Sequence, residues 1–275
     1  MENLIEVLKA ILLGVVEGVT EWIPISSTGH MILVDEFLQL TMSDAFKEMF
    51  LVVIQLGAIF AVVVLYWNSI MPFSLKGGLS IKRDTFIMWV KIALACIPAV
   101  IYGLTLDEKL NEVFYNYQTV ALALIVFGVL FIVIENANQG KSPRITAIAD
   151  ITYKTALILG LAQLVAAIFP GTSRSGATIL CGLLLGLSRS TATEFTFYLA
   201  IPTMFGASAL KLYKFGFDFT SLELVVLLTG TITAFFVSIV AIKFLMIYIK
   251  RHDFKIFGWY RIVLGSIVFL YFLLA

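Results

Sequence analysis

The stretch Pro24-Ile25-Ser26-Ser27-Thr28-Gly29-His30 interrupts an apolar region running from 4 to 40, and Pro170-Gly171-Thr172-Ser173-Arg174-Ser175-Gly176 interrupts a second one from 155 to 187. A helix needs about 20 apolar residues to cross the ~30 Å hydrocarbon layer, and each flank of these breaks is short for that. Irregular backbone at membrane depth is tolerated only where protein buries it or water lines it. Both regions are therefore expected to be re-entrant helical hairpins, with their polar tips meeting near the midplane.

The rest of the chain agrees with a membrane setting. Apolar runs at 50–67, 86–106, 119–134, 195–212, 222–249 and 257–274 read as six transmembrane helices, which makes the fold an all-α integral membrane protein. Hydrophobic residues make up 60% of the 275 and charged ones 13%, with 23 Phe, more than one soluble core of this size can hide. Disorder, a disulfide scaffold and nucleic-acid binding are excluded by this balance. A formal net charge of +1 gives no broad basic field, so an anion must be met at a local site. Cys96 and Cys181 lie in apolar runs without metal-ligand spacing and read as small buried hydrophobes. The N-terminus lacks the basic segment and small-residue cleavage site of a removable signal peptide.

Overlaying the two broken regions at an offset of 146 aligns Gly14 with Gly160, Glu17 with Gln163, Pro24 with Pro170 and Ser27 with Ser173. Residues 1–138 and 139–275 then form two repeats within one structural unit, each a hairpin followed by three spans. Three crossings leave the second repeat upside down, an inverted-topology repeat. Short loops on one face carry Lys76, Lys82, Arg83, Lys141, Arg144, Lys154, Lys250, Arg251 and Lys255, against Lys109, Lys211 and Lys214 on the other. The basic face is expected to be cytoplasmic, with both termini outside and the first hairpin entering from the outer side.

Glu17 and Glu21 are four residues apart and share one helix face, which implies a cation, a proton or a wet cavity beside them. A Mg²⁺ or Ca²⁺ ion suits the pair, since hard cations take carboxylate oxygens and share themselves with substrate phosphates. The other reading is a surface amphipathic helix with both carboxylates in water. After the first break, Ser27 precedes His30 by three residues, so a helical turn brings an imidazole base within reach of a hydroxyl. Ser-Ser-Thr-Gly is also what a plain N-cap uses. The second break offers hydroxyls, the Arg174 guanidinium and N–H groups at a helix start, the components of a phosphate cradle. A structural Arg174 pair with Glu17 or Glu21 is the competing reading. Arg189 and Glu194 read as an interface, Lys91 and Lys243 stay ambiguous, and His252 reads as a solvated loop residue.

The segments Glu17-Gly-Val-Thr-Glu21-Trp-Ile-Pro-Ile-Ser-Ser-Thr-Gly-His30 and Pro170-Gly-Thr-Ser-Arg-Ser-Gly-Ala-Thr178 resemble the two motifs of bacterial undecaprenyl pyrophosphate phosphatases of the bacitracin-resistance type. Gln163 and the Ala200-Ile201-Pro202 run extend the resemblance over the whole length. It implies a divalent-metal-dependent phosphatase of the bacterial plasma membrane that regenerates the carrier lipid for wall synthesis. Its implied functional residues are Glu17, Glu21, Ser26, Ser27, His30, Ser173, Arg174 and Thr178. The reading assigns catalysis to Ser27, His30, Glu21 and Arg174, phosphate binding to Ser26, Thr28, Ser173, Arg174, Ser175 and Thr178, and the metal to Glu17 and Glu21. Ser27 attack helped by His30 is the expected chemistry, and attack by water with Glu21 or His30 as base is the alternative. The expected partners are a polyprenyl pyrophosphate and bilayer lipid, with a homodimer as a further option. A secondary transporter or flippase of an anionic lipid or small anion would use the same inverted repeat. The type 2 phosphatidic acid phosphatases share only a Ser-Gly-His-like string, and no second His follows Arg174 or Arg189 at their spacing.

Overall fold

A computed structural model describes residues 2–74 and 80–274; Lys76 and Gly78, on the first basic loop, lie outside the described residues. The helices in chain order are α1 (Glu2–Thr20), α2 (Ser27–Phe37), α3 (Asp44–Val53), α4 (Gln55–Leu65), α5 (Trp67–Ile70), α6 (Arg83–Thr105), α7 (Asp107–Phe114), α8 (Tyr117–Asn138), α9 (Tyr153–Ile168), α10 (Arg174–Leu184), α11 (Arg189–Phe215), α12 (Ser221–Tyr248) and α13 (Lys255–Leu274). A two-residue ladder, β1 (Phe73–Ser74) with β2 (Ser80–Ile81), is the one sheet among the described residues.

Among the described residues six helical stretches are long and apolar enough to cross a membrane: Asp44–Leu65, which joins α3 to α4, and α6, α8, α11, α12 and α13. Several begin well before the apolar runs that announce them. Hydropathy marks what lipid covers, whereas a cap marks where a helix starts. Ser43, Asn116, Ser188 and Thr220 each accept the N–H of the residue three further on, ahead of α3, α8, α11 and α12. Outward-facing Phe60, Val100, Leu122, Phe236 and Ile267 are exposed, as apolar side chains against lipid are.

The two interrupted regions form the helix pairs α1/α2 and α9/α10. α2 and α10 have 11 residues each, a length of about 16 Å, half the hydrocarbon thickness. α1 is longer than the sequence pattern implies. Its 19 residues extend N-terminally through Glu2 and Asn3 to about 28 Å, because polar residues ahead of the apolar run continue the helix.

Close glycine contacts fix how the pairs dock. Gly14 abuts the Gly230 carbonyl and Gly18 the Ala234 carbonyl, so α1 and α12 run parallel. Gly160 abuts the Ala95 carbonyl and the Tyr102 hydroxyl donates to the Ala167 carbonyl, so α9 and α6 also run parallel. Gly128 and Gly258 face each other reciprocally, and Gly265 meets the Ala121 carbonyl, so α8 and α13 cross antiparallel. A side chain at any of these glycines would push a backbone carbonyl away and part the helices.

Candidate active site

The site grows out of two helix breaks that share one backbone device. Among the described residues only Ser26 and Ser173 hold a positive φ without being glycine, at 75° and 70°. That conformation costs on the order of 1–3 kcal/mol and persists where the surroundings enforce it. Each serine caps the helix that follows. Ser26 Oγ accepts the Gly29 N–H at 3.3 Å, and Ser173 Oγ accepts the Gly176 N–H at 3.1 Å. The sequence overlay is therefore out by one residue past the prolines. Gly171-Thr172 stands between Pro170 and its cap where Ile25 alone stands after Pro24, so Ser173 matches Ser26 rather than Ser27. Ser27 matches Arg174, each opening its helix.

Those two residues converge on one carboxylate. Ser27 Oγ donates to Glu21 Oε2 at 3.1 Å, and Arg174 Nη2 donates to Glu21 Oε1 at 2.8 Å. The second guanidinium nitrogen of Arg174 donates to the Thr196 carbonyl at 3.2 Å, which holds the fork in place. Ser175 Oγ donates to the Glu21 carbonyl at 3.2 Å and lies 3.1 Å from Ser173 Oγ. Thr178, wholly buried, bonds the Arg174 carbonyl and the Thr196 hydroxyl. Thr28 is half-buried at the second position of α2. The first residues of α2 and α10 are thus joined through Glu21, and the positive dipole end of each helix favours an anion beside it.

The hydrogen bond expected between Ser27 and His30 is not formed. His30 Nδ1 reaches back to the Ser26 carbonyl at 2.7 Å, so this nitrogen carries the proton, and Nε2 accepts from the Tyr260 hydroxyl at 2.7 Å. With the imidazole committed at both ends, Glu21 is the carboxylate that faces Ser27. The Arg174 pair with Glu21 exists, and it lies inside the site rather than apart from it.

Glu17 is almost wholly buried, and its Oε1 has no hydrogen-bond partner among the described residues. Two hard-oxygen carboxylates on one face, one with an open lone pair, fit a divalent cation that completes its shell with phosphate oxygens and water. Trp22 Nε1, Gln163 Nε2, Thr172 Oγ1 and Arg261 Nε are likewise buried without a hydrogen-bond partner among the described residues, all on the two breaks, the arms leading to them or the residue that braces them.

Sequence reasoning missed Arg261 and Tyr260. An ionisable residue inside the last apolar run was the available signal, because such a residue needs a partner. Arg261 donates to the carbonyls of Pro24 at 3.4 Å and of Gly171 and Thr172 at 2.8 Å. Arg189 forks onto buried Glu135 at 2.9 and 2.6 Å, and Glu135 also takes the Phe254 N–H, so that pair is a structural clamp. Lys91 donates to the Ala149 carbonyl, Lys243 is exposed, and His252 lies exposed against Tyr248.

With both breaks placed, similarity to known proteins takes on meaning. The family described as bacitracin resistance protein BacA matches residues 10–267, a span that holds every site residue above. The chain belongs to this family. It is 66% identical over 269 residues to an undecaprenyl-diphosphatase of Desulfitobacterium hafniense, covering 98% of this chain and 97% of that one. It is 64% identical over 271 residues to undecaprenyl-diphosphatase 1 of Clostridium acetobutylicum, covering 98% and 99%. An undecaprenyl-diphosphatase of Enterococcus faecalis is 60% identical over 270 residues, covering 98% of each. Membership in the BacA family brings the two break motifs under one activity.

Proposed function

We propose that the chain hydrolyses undecaprenyl pyrophosphate to undecaprenyl phosphate and inorganic phosphate, recycling the carrier lipid of wall synthesis, the activity that ties the family to bacitracin. The observation that carries this reading is Glu21, one carboxylate joining a hydroxyl nucleophile on α2 to a phosphate-binding guanidinium on α10. A polyprenyl substrate also explains why such a site lies among membrane helices.

In the mechanism, Glu21 Oε2 takes the proton of Ser27 as Oγ attacks the terminal phosphorus, and the anhydride P–O bond breaks with its electron pair leaving on undecaprenyl phosphate. Glu21 loses that proton to solvent. It then removes one proton from water as the water attacks the phosphoserine, and returns it to the departing Ser27 oxygen. Arg174 binds the terminal phosphate oxygens and stabilises charge that builds in the loose transition state. Thr28, Ser175 and the two helix starts orient the diphosphate, Ser26 and Ser173 hold those starts, and Thr178 steadies Arg174. His30 fixes the first turn of α2 through the Ser26 carbonyl. Glu17 and Glu21 would hold Mg²⁺ or Ca²⁺, which supplies charge neutralisation at the phosphates.

The two broken regions are re-entrant hairpins, and residues 1–138 and 139–275 are inverted repeats. The parallel pairs α1 with α12 and α9 with α6, exchanged between the halves, and the reciprocal α8–α13 crossing support this arrangement. The loop charges support a cytoplasmic basic face, external termini and a site opening outward in the bacterial plasma membrane. On a background without Cys96 and Cys181, Lys141→Cys should label only from the cytoplasm and Asp218→Cys only from outside. Reversed labelling overturns the orientation.

Purified protein in detergent, where no gradient exists, should release phosphate from undecaprenyl pyrophosphate and should stop when a chelator is added. A transporter would release none.

A further inference from the structure

Arg261 is wholly buried in α13, and all its hydrogen bonds among the described residues go to backbone carbonyls. A break in a helix leaves carbonyls that its own backbone cannot pair, and at membrane depth water does not relieve them cheaply. Arg261 satisfies one carbonyl on the first break, Pro24, and two on the second, Gly171 and Thr172. A planar guanidinium with several donors can span two separate stretches of chain, which a point charge such as lysine does less well.

The positions matter. Pro24 lies three residues before Ser27, and Thr172 lies two before Arg174, so the carbonyls that Arg261 grips belong to the segments that deliver the nucleophile and the phosphate-binding group. The neighbouring Tyr260 reaches the same region, donating to His30 on α2 at 2.7 Å. α13 therefore enters the site through two consecutive side chains.

We propose that Arg261 is a positioning residue of the phosphatase: by tying Pro24 to Gly171 and Thr172 it sets the separation of the two tips, and with it the distance at which Ser27 and Arg174 meet on Glu21. This rests on the phosphatase reading above. Arg261 touches no reacting atom in this assignment; it acts through the backbone of both breaks.

The test uses full-length wild type, Arg261→Gln and Arg261→Lys in detergent, with phosphate release from undecaprenyl pyrophosphate and thermal unfolding measured on the same preparations. Arg261→Gln should lower kcat about 100-fold, the loss that a displacement of about 1 Å brings. Its KM should stay within about threefold of wild type, because binding common to ground and transition states is kept. Arg261→Lys should fall between the two. Adding Arg261→Lys to Arg174→Lys should cost little beyond Arg174→Lys alone, since both act on one spacing. Wild-type kcat in a folded Arg261→Gln, a loss confined to KM, or additive losses in the double variant would each overturn the proposal. If Arg261→Gln does not fold, Arg261→Lys and the double variant carry the test. A wild-type protein that releases no phosphate brings down the phosphatase reading and this role with it, a result distinct from an active wild type with an indifferent Arg261→Gln.

Discussion

The first break holds Ser26 at a φ of 75° to cap α2, and the second holds Ser173 at 70° to cap α10, yet the residues delivered by this common backbone are opposite in kind. The first presents a hydroxyl on a carboxylate, Ser27 on Glu21, with a second carboxylate, Glu17, one helical turn earlier in the chain. The second presents a cation, Arg174, and has Gln163 where the first has Glu17. A backbone device used at both breaks can hold one geometry twice and divide the chemistry, because the cap constrains φ while the residue after it is free to vary. A diphosphate hydrolase needs both parts once each, a nucleophile with its base and an anion holder, and they must face each other. Two like tips could not provide this. Two acidic tips would repel the substrate, and two basic tips would lack a base.

The sharpest way to break the comparison is to remove each tip's own contribution. Ser27→Ala and Arg174→Ala should each lower kcat/KM by about a thousandfold or more while the protein stays folded. Arg174→Lys should recover little, since the fork onto Glu21 and the Thr196 carbonyl needs two nitrogens. Phosphate release by purified variants measures both. A Ser27→Ala enzyme that keeps most of its kcat would move the nucleophile from serine to water and leave the first tip only a base.

The carboxylates come next, and they test whether the asymmetry between Glu17 and Gln163 matters. On the proposed mechanism Glu21→Gln removes the base and should cost about 100- to 10,000-fold in kcat. Glu17→Gln should lose less, and added Mg²⁺ or Ca²⁺ should restore part of it if Glu17 is a ligand. Gln163→Glu should not raise the rate, because a carboxylate on the second arm has no nucleophile beside it. Full activity of wild type in chelator would remove the metal from this account.

Two ion pairs offer a smaller contrast. Glu21–Arg174 lies within the site, while Glu135–Arg189 clamps α8 to the start of α11. Glu135→Gln should leave kcat within a few-fold and cost about 3 kcal/mol of stability, the low end for a broken buried pair, because the Arg189 side chain is partly exposed. A large fall in kcat at an unchanged melting temperature would assign that clamp a role in turnover.

What the sequence disclosed, and what it did not, follows from the range of the forces involved. Apolar runs and prolines act locally, so six spans and two breaks were legible from 50–67 through 257–274 and from Pro24 and Pro170. Glu17 and Glu21 were placed on one face by helical period alone. The link from Glu21 to Arg174, 153 residues apart, is a tertiary contact; two polar tips could suggest that they meet, but not which atoms meet. Spacing favoured His30 as the partner of Ser27, and it failed because the imidazole found nearer acceptors and donors in the Ser26 carbonyl and Tyr260. The extra residue of Gly171-Thr172 shifted the register by one, and only backbone dihedrals reveal which serine is the cap. Arg261 went unread because a lone arginine near one end of an apolar run looks like an interfacial anchor until the carbonyls it serves are known.

The smallest effect probes the device the tips share. Ser26→Ala and Ser173→Ala each lose the side-chain oxygen that accepts a first-turn N–H, which costs about 1 kcal/mol. They also keep a Cβ in the left-handed region, so the strain stays. Glycine differs in one respect: Ser26→Gly and Ser173→Gly lose the same oxygen but relieve the strained φ, so the two terms largely offset. Thermal unfolding should therefore rank serine and glycine close together and alanine below both, at each break. The two breaks should not respond equally. Ser173 Oγ also lies 3.1 Å from Ser175 Oγ, which donates to the Glu21 carbonyl, so Ser173→Ala disturbs a chain of bonds that ends on the backbone of Glu21. Ser26 Oγ has only the Gly29 N–H as its partner among the described residues. Ser173→Ala should lower kcat more than Ser26→Ala at similar loss of stability. Equal kcat losses would mean that the Ser173–Ser175–Glu21 chain does not reach the chemistry, and that the tips differ only in the residues that follow their caps.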